Sequence, residues 1–299
     1  MDIIILSQKF FEYSSYMRGY SKHTIRRYKY VIESYCKQAR ITEISQVNDA
    51  NLRALFLNGR IERHWQTNTY IVFHKSLLVF FRWCVTQGYM ASNPIIGIEV
   101  PKLEKKFPPK LNKKDTLRLL EVVYNYPYEY TYLRYRNHAI FSMFIFAGLR
   151  RQELLNLKVT DVDIENLTIF VRQGKGNKDR NIPMSHTLAQ SLKRYAEQRK
   201  RLSKACPEFF TSLRGNVGLT DSGMKKLVEQ VRESSGIKFS VHKLRHTFAT
   251  LMLEGGCDIY SLSRMMGHSD IKTTTIYLYA SAEHLRSQIT KHPLNDLIR

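Results

Sequence analysis

The chain has 299 residues and a formal net charge of +21, with 47 lysines and arginines against 26 aspartates and glutamates. This length favours two domains. So large a positive excess favours polyanionic partners, with nucleic acid first and an anionic membrane second, over a merely solvated basic surface. Hydrophobic residues make up 43% of the sequence, which excludes a disordered chain.

Two further features favour a cytoplasmic protein without a membrane partner. The longest apolar runs, 3–6 and 77–81, are far shorter than the roughly 20 residues that span a bilayer. Residues 1–6 also lack the basic start of a signal peptide. The cysteines are scattered without a CxxC pair, which is typical of reduced thiols rather than of disulfides or a zinc site. They are Cys36, Cys84, Cys206 and Cys257.

Residues 1–92 predict a bundle of four amphipathic helices joined by short polar turns. Ser21 and Asn48 are candidate N-caps of the second and third helices. The outer face of the second helix is basic, and we expect it to bind the DNA backbone. The residues on that face predicted to contact DNA are Lys22, Arg26 and Arg27.

Residues 93–110 contain four prolines and four lysines, which oppose a continuous helix and predict an extended linker between domains. From residue 111 to residue 299 the pattern is mainly helical. Three short strands are predicted there, at 157–162, 167–172 and 181–183. A turn-rich hairpin tip containing Lys175 and Lys178 lies between the last two strands.

The segment Gly148-Leu149-Arg150-Arg151-Gln152-Glu153 follows an apolar helix and begins another. An arginine at such a helix start can present a bidentate guanidinium group to a phosphate. Glu153 lies three residues after Arg150 on the same helical side, where it can orient that arginine. By itself, this pair would be an ordinary surface ion pair.

A second motif is His242-Lys243-Leu244-Arg245-His246 at a helix start. His242 and Arg245 share one face near the positive helix terminus. His242 and His246 have the spacing of a zinc-binding helix, but Lys243 stands where that motif carries its catalytic glutamate. We therefore predict no metal site here, and a structural role for His246 at the helix side.

A third motif places His268 after Gly267, at the end of one helix, and Tyr277 nine residues later. Taken singly, the histidine and the tyrosine would both be structural. In order, G-L-R-x-x-E, the G-K-G hairpin, H-x-L-R-H, G-H and the tyrosine resemble the tyrosine recombinase (phage integrase) family. The resemblance covers essentially the whole chain, because the helical bundle and the linker are also similar to that family's core-binding half.

The resemblance implies a mainly α fold. A SAM-like, core-binding helical bundle (1–92) and a linker (93–110) would precede a mainly helical catalytic domain with a small antiparallel β-sheet (111–299). It also implies site-specific DNA cleavage and rejoining without metal, ATP or another cofactor. The implied catalytic set is Arg150, Lys175, His242, Arg245, His268 and Tyr277, with Glu153 supporting it.

In that set, Arg150 and Arg245 clamp the scissile phosphate, and Lys175 protonates the leaving 5′ oxygen. The two histidines bind the phosphate, with His242 preferred as proton acceptor for the tyrosine. Tyr277 attacks and leaves a 3′-phosphotyrosyl bond. Two neighbours compete for these roles. The family pattern selects Lys175 over Lys178, which we assign to the DNA backbone, and the spacing from His268 selects Tyr277 over Tyr279.

The expected partners are double-stranded DNA recombination sites, held by a C-shaped clamp in a tetramer of this chain or of this chain with a paralogue. Residues 283–299 would dock on a neighbouring protomer. Arg151, Gln152 and Met266 depart from common family residues, which affects only the choice of subfamily. The sequence identifies neither the target DNA nor the choice between chromosome dimer resolution and integration or excision of a mobile element.

Three other functions fit parts of the pattern. One is the same chemistry in a type IB topoisomerase or hairpin-end resolvase, although the chain has no extra domains for these. Another is a catalytically inactive DNA-binding regulator derived from a recombinase, which the retained catalytic residues oppose. The third is a metal-dependent nuclease using acids that we expect to face solvent, namely Asp161, Asp163 and Glu165.

Overall fold

The computed structural model describes residues 1–103, 108–172, 179–268 and 270–278. The chain divides into two compact units, residues 1–105 and 106–299. The division falls inside the predicted linker, and each unit buries its own hydrophobic side chains. Within the described ranges, no helix has the length and apolar character needed to cross a bilayer.

The first unit is a bundle of four helices around an aromatic core. Phe10, Tyr35, Phe80 and Phe81 are among its fully buried side chains. Ser21 caps the second helix by accepting from the Thr24 amide at 3.3 Å, as predicted. The helices are α1 (Ile3–Tyr16), α2 (Lys22–Ala39), α3 (Asp49–Ile61) and α4 (Thr67–Thr86).

The beginning and the end of the predicted linker belong to the folded units. A 3-10 turn at Pro94–Gly97 places Ile95 in the core of the first unit, and Ile98 is buried there too. Proline begins this turn without breaking the packing, because the first residue of a helical turn needs no amide donor. At the other end, Lys110 pairs with Glu254 at 2.6 Å, and Leu111, directly after the predicted linker, is buried in the core of the second unit. The extended part of the linker is therefore shorter than 93–110.

The second unit is built around a helix that is buried on most of its surface. That helix spans Thr131–Phe146 and packs against the helices at Lys113–Asn125, His186–Arg201 and Val241–Glu254. Its apolar side chains are spread around the axis, as expected for a helix surrounded by others. The eight helices described in this unit are α5 (Lys113–Asn125), α6 (Thr131–Phe146), α7 (Arg151–Asn156), α8 (His186–Arg201), α9 (Asp221–Ser235), α10 (Val241–Glu254), α11 (Ile259–Met266) and α12 (Lys272–Leu278).

Three short strands form an antiparallel sheet in the order β1 (Val162–Asp163), β2 (Thr168–Val171) and β3 (Arg180–Pro183). Ile169 pairs with Ile182, and both side chains are buried. The fold is thus mainly helical with a small antiparallel sheet, as predicted.

The first predicted strand, at 157–162, is mostly absent. A 3-10 turn at Val159–Asp161 replaces it, and only Val162 continues into β1. The preceding backbone groups bond elsewhere, because the Leu157 carbonyl accepts from the Phe209 amide at 2.7 Å. Lys158 also forms an isolated antiparallel bridge with Glu208, so this part of the segment pairs with residues 207–209 and not with the three-stranded sheet.

Candidate active site

Arg150 is positioned by the turn that joins α6 to α7. It immediately precedes α7, and its backbone amide donates to Glu153 Oε2 at 2.8 Å. Its guanidinium donates to Glu153 Oε1 at 2.6 Å and to the Gly267 carbonyl at 3.2 Å. Glu153 therefore orients Arg150 through both the backbone and the side chain.

Glu153 also binds an arginine that the sequence analysis missed. Arg180, on β3, donates to both carboxylate oxygens, at 2.9 and 2.8 Å, and its side chain is only 8% exposed. Burial alone would raise the pKa of Glu153, but Arg180 and then Arg150 outweigh it and lower the pKa to about 2. The carboxylate is therefore ionised at neutral pH.

Arg245 lies at the start of the second turn of α10, a helix that the Ser240 side chain caps. Its buried guanidinium donates to the carbonyls of Gly148 and Met266 and lies 4.0 Å from Glu153. Burial and the nearby charge of Arg150 lower the pKa of Arg245. Three guanidinium groups thus surround one carboxylate, and this excess of positive charge favours binding of an anion.

His268 faces the arginines from the turn after α11. Gly267 ends that helix with φ of +64°, and a Cβ there would lie 2.9 Å from Arg180 Cδ. The His268 Nδ1 atom lies 2.8 Å from Thr274 Oγ1, which leaves Nε2 facing Arg245 at 3.4 Å. The structure therefore brings together Arg150, Arg245 and His268.

Tyr277 lies on α12 and is 2% exposed. Its Oη atom is 2.7 Å from Nδ1 of His246, and the two ring centroids are 5.6 Å apart. Burial raises the pKa of Tyr277, although the charges of Arg245 and Arg150 oppose this effect. The phenol is therefore protonated at neutral pH and needs a proton acceptor to become a strong nucleophile.

This geometry changes two expectations about the α10 histidines. His242 was preferred as the proton acceptor for Tyr277, yet it is exposed in the first turn of α10. His246 was assigned a structural role at the helix side, yet it contacts the tyrosine hydroxyl. One helical turn separates the two histidines, and α12 packs on α10 at the second of them.

Several predicted residues lie outside the described part of the chain. These are Lys175, Lys178, Tyr279 and the segment 283–299. The basic residues of the first unit, Lys22, Arg26 and Arg27, are exposed on α2, as a role in phosphate binding requires.

The acids of the nuclease alternative do not form a cluster open to solvent. Asp161 was expected to face solvent, but it is buried and bound to Arg172 Nε at 2.6 Å. Asp163 accepts instead from the Asn166 amide at 2.9 Å. Among the described residues, no three or more histidines, cysteines or acids are grouped to hold a metal ion.

Comparison with known proteins gives a consistent result. Residues 110–284 match the phage integrase family. The chain is 30% identical over 294 residues to tyrosine recombinase XerC of Oceanobacillus iheyensis, and the matched region covers 95% of this chain and 94% of that protein. It is 32% identical over 278 residues to tyrosine recombinase XerA of Thermococcus onnurineus, which covers 92% of each.

Solved structures share the fold. A lambda integrase tetramer bound to a Holliday junction matches with a TM-score of 0.73 at 17% identity, over 93% of this chain and 77% of that chain. Together with the family match and the sequence relatives, this similarity establishes that the chain belongs to the phage integrase family of tyrosine recombinases.

Proposed function

We propose that this protein is a site-specific DNA recombinase in which Tyr277 attacks a backbone phosphate of the duplex. The observation that carries the proposal is the meeting of three guanidinium groups with an imidazole-bonded tyrosine in one unit. Cations that are fixed before substrate arrives stabilise the charge that develops on a phosphate under attack.

The proposed cleavage exchanges one phosphodiester for another. The bond from Tyr277 Oη to phosphorus forms while the bond from phosphorus to the 5′ oxygen breaks. The products are a 3′-phosphotyrosyl linkage and a 5′ hydroxyl. Because the phosphodiester energy stays in the covalent intermediate, attack by a 5′ hydroxyl reseals the strand without ATP. The arginines supply the electrostatic stabilisation, so the proposal requires no metal ion.

The roles of the other residues follow from their positions. Arg150 and Arg245 bind the non-bridging oxygens, and Glu153 holds Arg150 for that task. His268, fixed by Thr274, adds a hydrogen bond from the other side. Lys175, which lies outside the described residues, is proposed as the acid for the leaving oxygen.

A suicide substrate tests the nucleophile. In a nicked duplex carrying a candidate recombination site, cleavage releases the short fragment between the scissile phosphate and the nick. This fragment carries the new 5′ hydroxyl, so its loss prevents resealing and the covalent protein–DNA adduct accumulates. We expect wild type and Tyr279→Phe to form the adduct in the presence of EDTA, and Tyr277→Phe to form none. The adduct should map to the 3′ end of the cleaved strand.

A different pattern would count against this assignment. Loss of the adduct in Tyr279→Phe alone would transfer the nucleophile to that residue. Wild-type protein that binds the site without any covalent product would support the inactive regulator. Cleavage that stops in EDTA and leaves no attached protein would support the nuclease.

We further propose that recombination takes place in an assembly of four protomers on two double-stranded DNA sites. Lambda integrase, whose fold this chain shares, has been solved as a tetramer bound to a Holliday junction. Residues 283–299 are proposed to dock on a neighbouring protomer, and α2 to follow the DNA backbone. Such a substrate places the working protein in the cytoplasm, in reach of the chromosome or of mobile DNA.

A further inference from the structure

His246 contacts the atom of Tyr277 that the proposed reaction uses. The distance from His246 Nδ1 to Tyr277 Oη is 2.7 Å, within the range required of a general base. Tyr277 is 2% exposed, so bulk water has little access to this hydroxyl. A proton that leaves Oη therefore has an imidazole nitrogen as its immediate acceptor.

We propose that His246 is the catalytic base that takes the phenolic proton of Tyr277 during strand cleavage. The inference rests on the proposed function and adds a residue to it. As Oη bonds to phosphorus, the proton passes to Nδ1, while an acid protonates the departing 5′ oxygen. In resealing, the 5′ hydroxyl gives its proton back to the now deprotonated acid as it attacks phosphorus, and the imidazolium returns its proton to the departing phenolate.

The electrostatic surroundings of the pair favour this transfer. Among the described residues, the charged and titratable groups facing His246 are His242 and Arg245 on its own helix and Tyr277 on α12. Burial lowers the pKa of His246, and the charges of His242 and Arg245 lower it further. The imidazole is therefore neutral at pH 7, so Nδ1 can accept a proton.

The position of His242 suits a different task. It is exposed in the first turn of α10, where a DNA phosphate can reach it, and the described contacts include no hydrogen bond from it to Tyr277. The low exposure of Tyr277 means that the groups covering its hydroxyl must move aside before a phosphate can reach it. The hydrogen bond between His246 and Tyr277 must be kept during this movement.

The test replaces His246 with asparagine. The Asn Oδ1 atom stands near the position of Nδ1, so His246→Asn keeps an acceptor for the tyrosine hydroxyl but not a base. The substrate is a suicide duplex whose scissile 5′-bridging oxygen is replaced by sulfur. A thiolate leaves without an acid, so the rate of adduct formation reports only on the nucleophile side of the reaction.

We expect His246→Asn to form the adduct about 10²–10⁴-fold more slowly than wild type at pH 7. The wild-type rate should fall at low pH as the imidazole takes up a proton, and the variant should lack this fall. The matched variant His242→Asn should react more slowly than wild type, but its rate should still fall at low pH. Thermal unfolding and affinity for the site show whether each variant is folded. If His246→Asn does not fold, His246→Gln takes its place.

Two results would overturn the proposal. One is adduct formation by His246→Asn within about threefold of wild type, which would make the contact a positioning bond only. The other is loss of the low-pH fall in His242→Asn while His246→Asn keeps it. If wild type itself forms no adduct, the proposed function fails as a whole, and this outcome is distinguishable from either of the other two.

Discussion

The carboxylate of Glu153 holds together groups from separate parts of the chain. It accepts from Arg150 beside α7 and from Arg180 on β3, and it lies 4.0 Å from Arg245 on α10. A buried charge is tolerated only when it is paired and hydrogen-bonded, and removing one partner leaves the others uncompensated. At the residue scale, this acid matters most for keeping three mutually repelling cations close together.

The first prediction concerns Glu153→Gln. The pKa of Glu153 is lowered to about 2 from its ordinary value of 4.5. A lowered folded pKa stabilises the protein fully above the unfolded value, and this stability is lost as pH falls from about 4.5 towards 2. Such a shift corresponds to about 3 kcal/mol in the free energy of unfolding, and Glu153→Gln should lose this stability at pH 7. The variant should also lack the decrease in stability that protonation of Glu153 causes between about pH 4.5 and pH 2.

Both tryptophans, Trp65 and Trp83, lie in the first unit, so their fluorescence does not report on this loss. Hydrogen exchange of amides in the second unit at pH 7 and pH 4 is the appropriate measurement. The exposed acid Glu165 provides the control, since Glu165→Gln should change stability by less than about 0.5 kcal/mol. Equal loss of stability on acidification in Glu153→Gln and wild type would contradict the prediction.

Motif order identified Arg150, Arg245 and His268, which do meet, but it missed Arg180. Arg180 lies two residues before the buried Ile182 on β3, so strand alternation places both side chains on the inner face. The sequence therefore indicated that Arg180 faces inward, but it did not show that the residue binds Glu153. His246 was placed on the right helix, but only the packing of α12 on α10 shows what it touches.

At the scale of elements, the turn between α6 and α7 connects two parts of the site. The Gly148 carbonyl accepts from Arg245, and Arg150 follows two residues later. Gly148 has φ of +60°, and a Cβ there would lie 2.2 Å from Phe248 Cδ1. Only glycine fits this turn, because both the backbone conformation and the neighbouring ring exclude a side chain.

The second prediction therefore compares two glycines. Gly148→Ala should destabilise the second unit by about 2 kcal/mol or more, because left-handed strain adds to a steric clash with Phe248. Gly236→Ala, at φ of +67° with open space around its Cβ, should cost about 1 kcal/mol from strain alone. Amide exchange in α10 measures both. Equal costs would show that the Phe248 contact is relieved easily.

Helices were the elements best predicted from sequence, since their apolar spacing and caps are local signals. Helices α2 and α3 begin directly after Ser21 and Asn48, the caps predicted for them, whereas no predicted cap marked the start of α6 at Thr131. Its start lacks a side-chain cap, which removes the local signal for that boundary. The strand at 157–162 failed because its backbone partners lie about fifty residues later in the chain.

At the scale of the whole molecule, positive charge is spread over both units. Residues 1–110 contain 17 basic and 8 acidic side chains, and the rest of the chain carries a similar excess. Binding to a duplex should therefore release many counterions, and affinity should fall steeply with salt. The exposed residues Lys22, Arg26 and Arg27 on α2 are candidates for part of this effect.

The third prediction follows from those residues. Replacing Lys22, Arg26 and Arg27 with alanine should reduce the slope of log affinity against log salt by up to about 2.7, since each phosphate contact contributes about 0.9. The loss should be similar on specific and random duplexes, because backbone contacts carry no base information. Fluorescence anisotropy at several salt concentrations measures the slope. An unchanged slope would remove α2 from the DNA interface.

The attachment of the linker to α10 has a mechanical consequence. The Leu111 amide donates to Thr247 at 2.9 Å, and Lys110 pairs with the buried carboxylate of Glu254 at 2.6 Å. Tension on the chain at residue 109 therefore acts first on the middle and the end of α10. Arg245 and His246 lie on the same helix as these anchor points. Pulling on the chain at this point would therefore act on the helix that carries two of the side chains proposed to be catalytic.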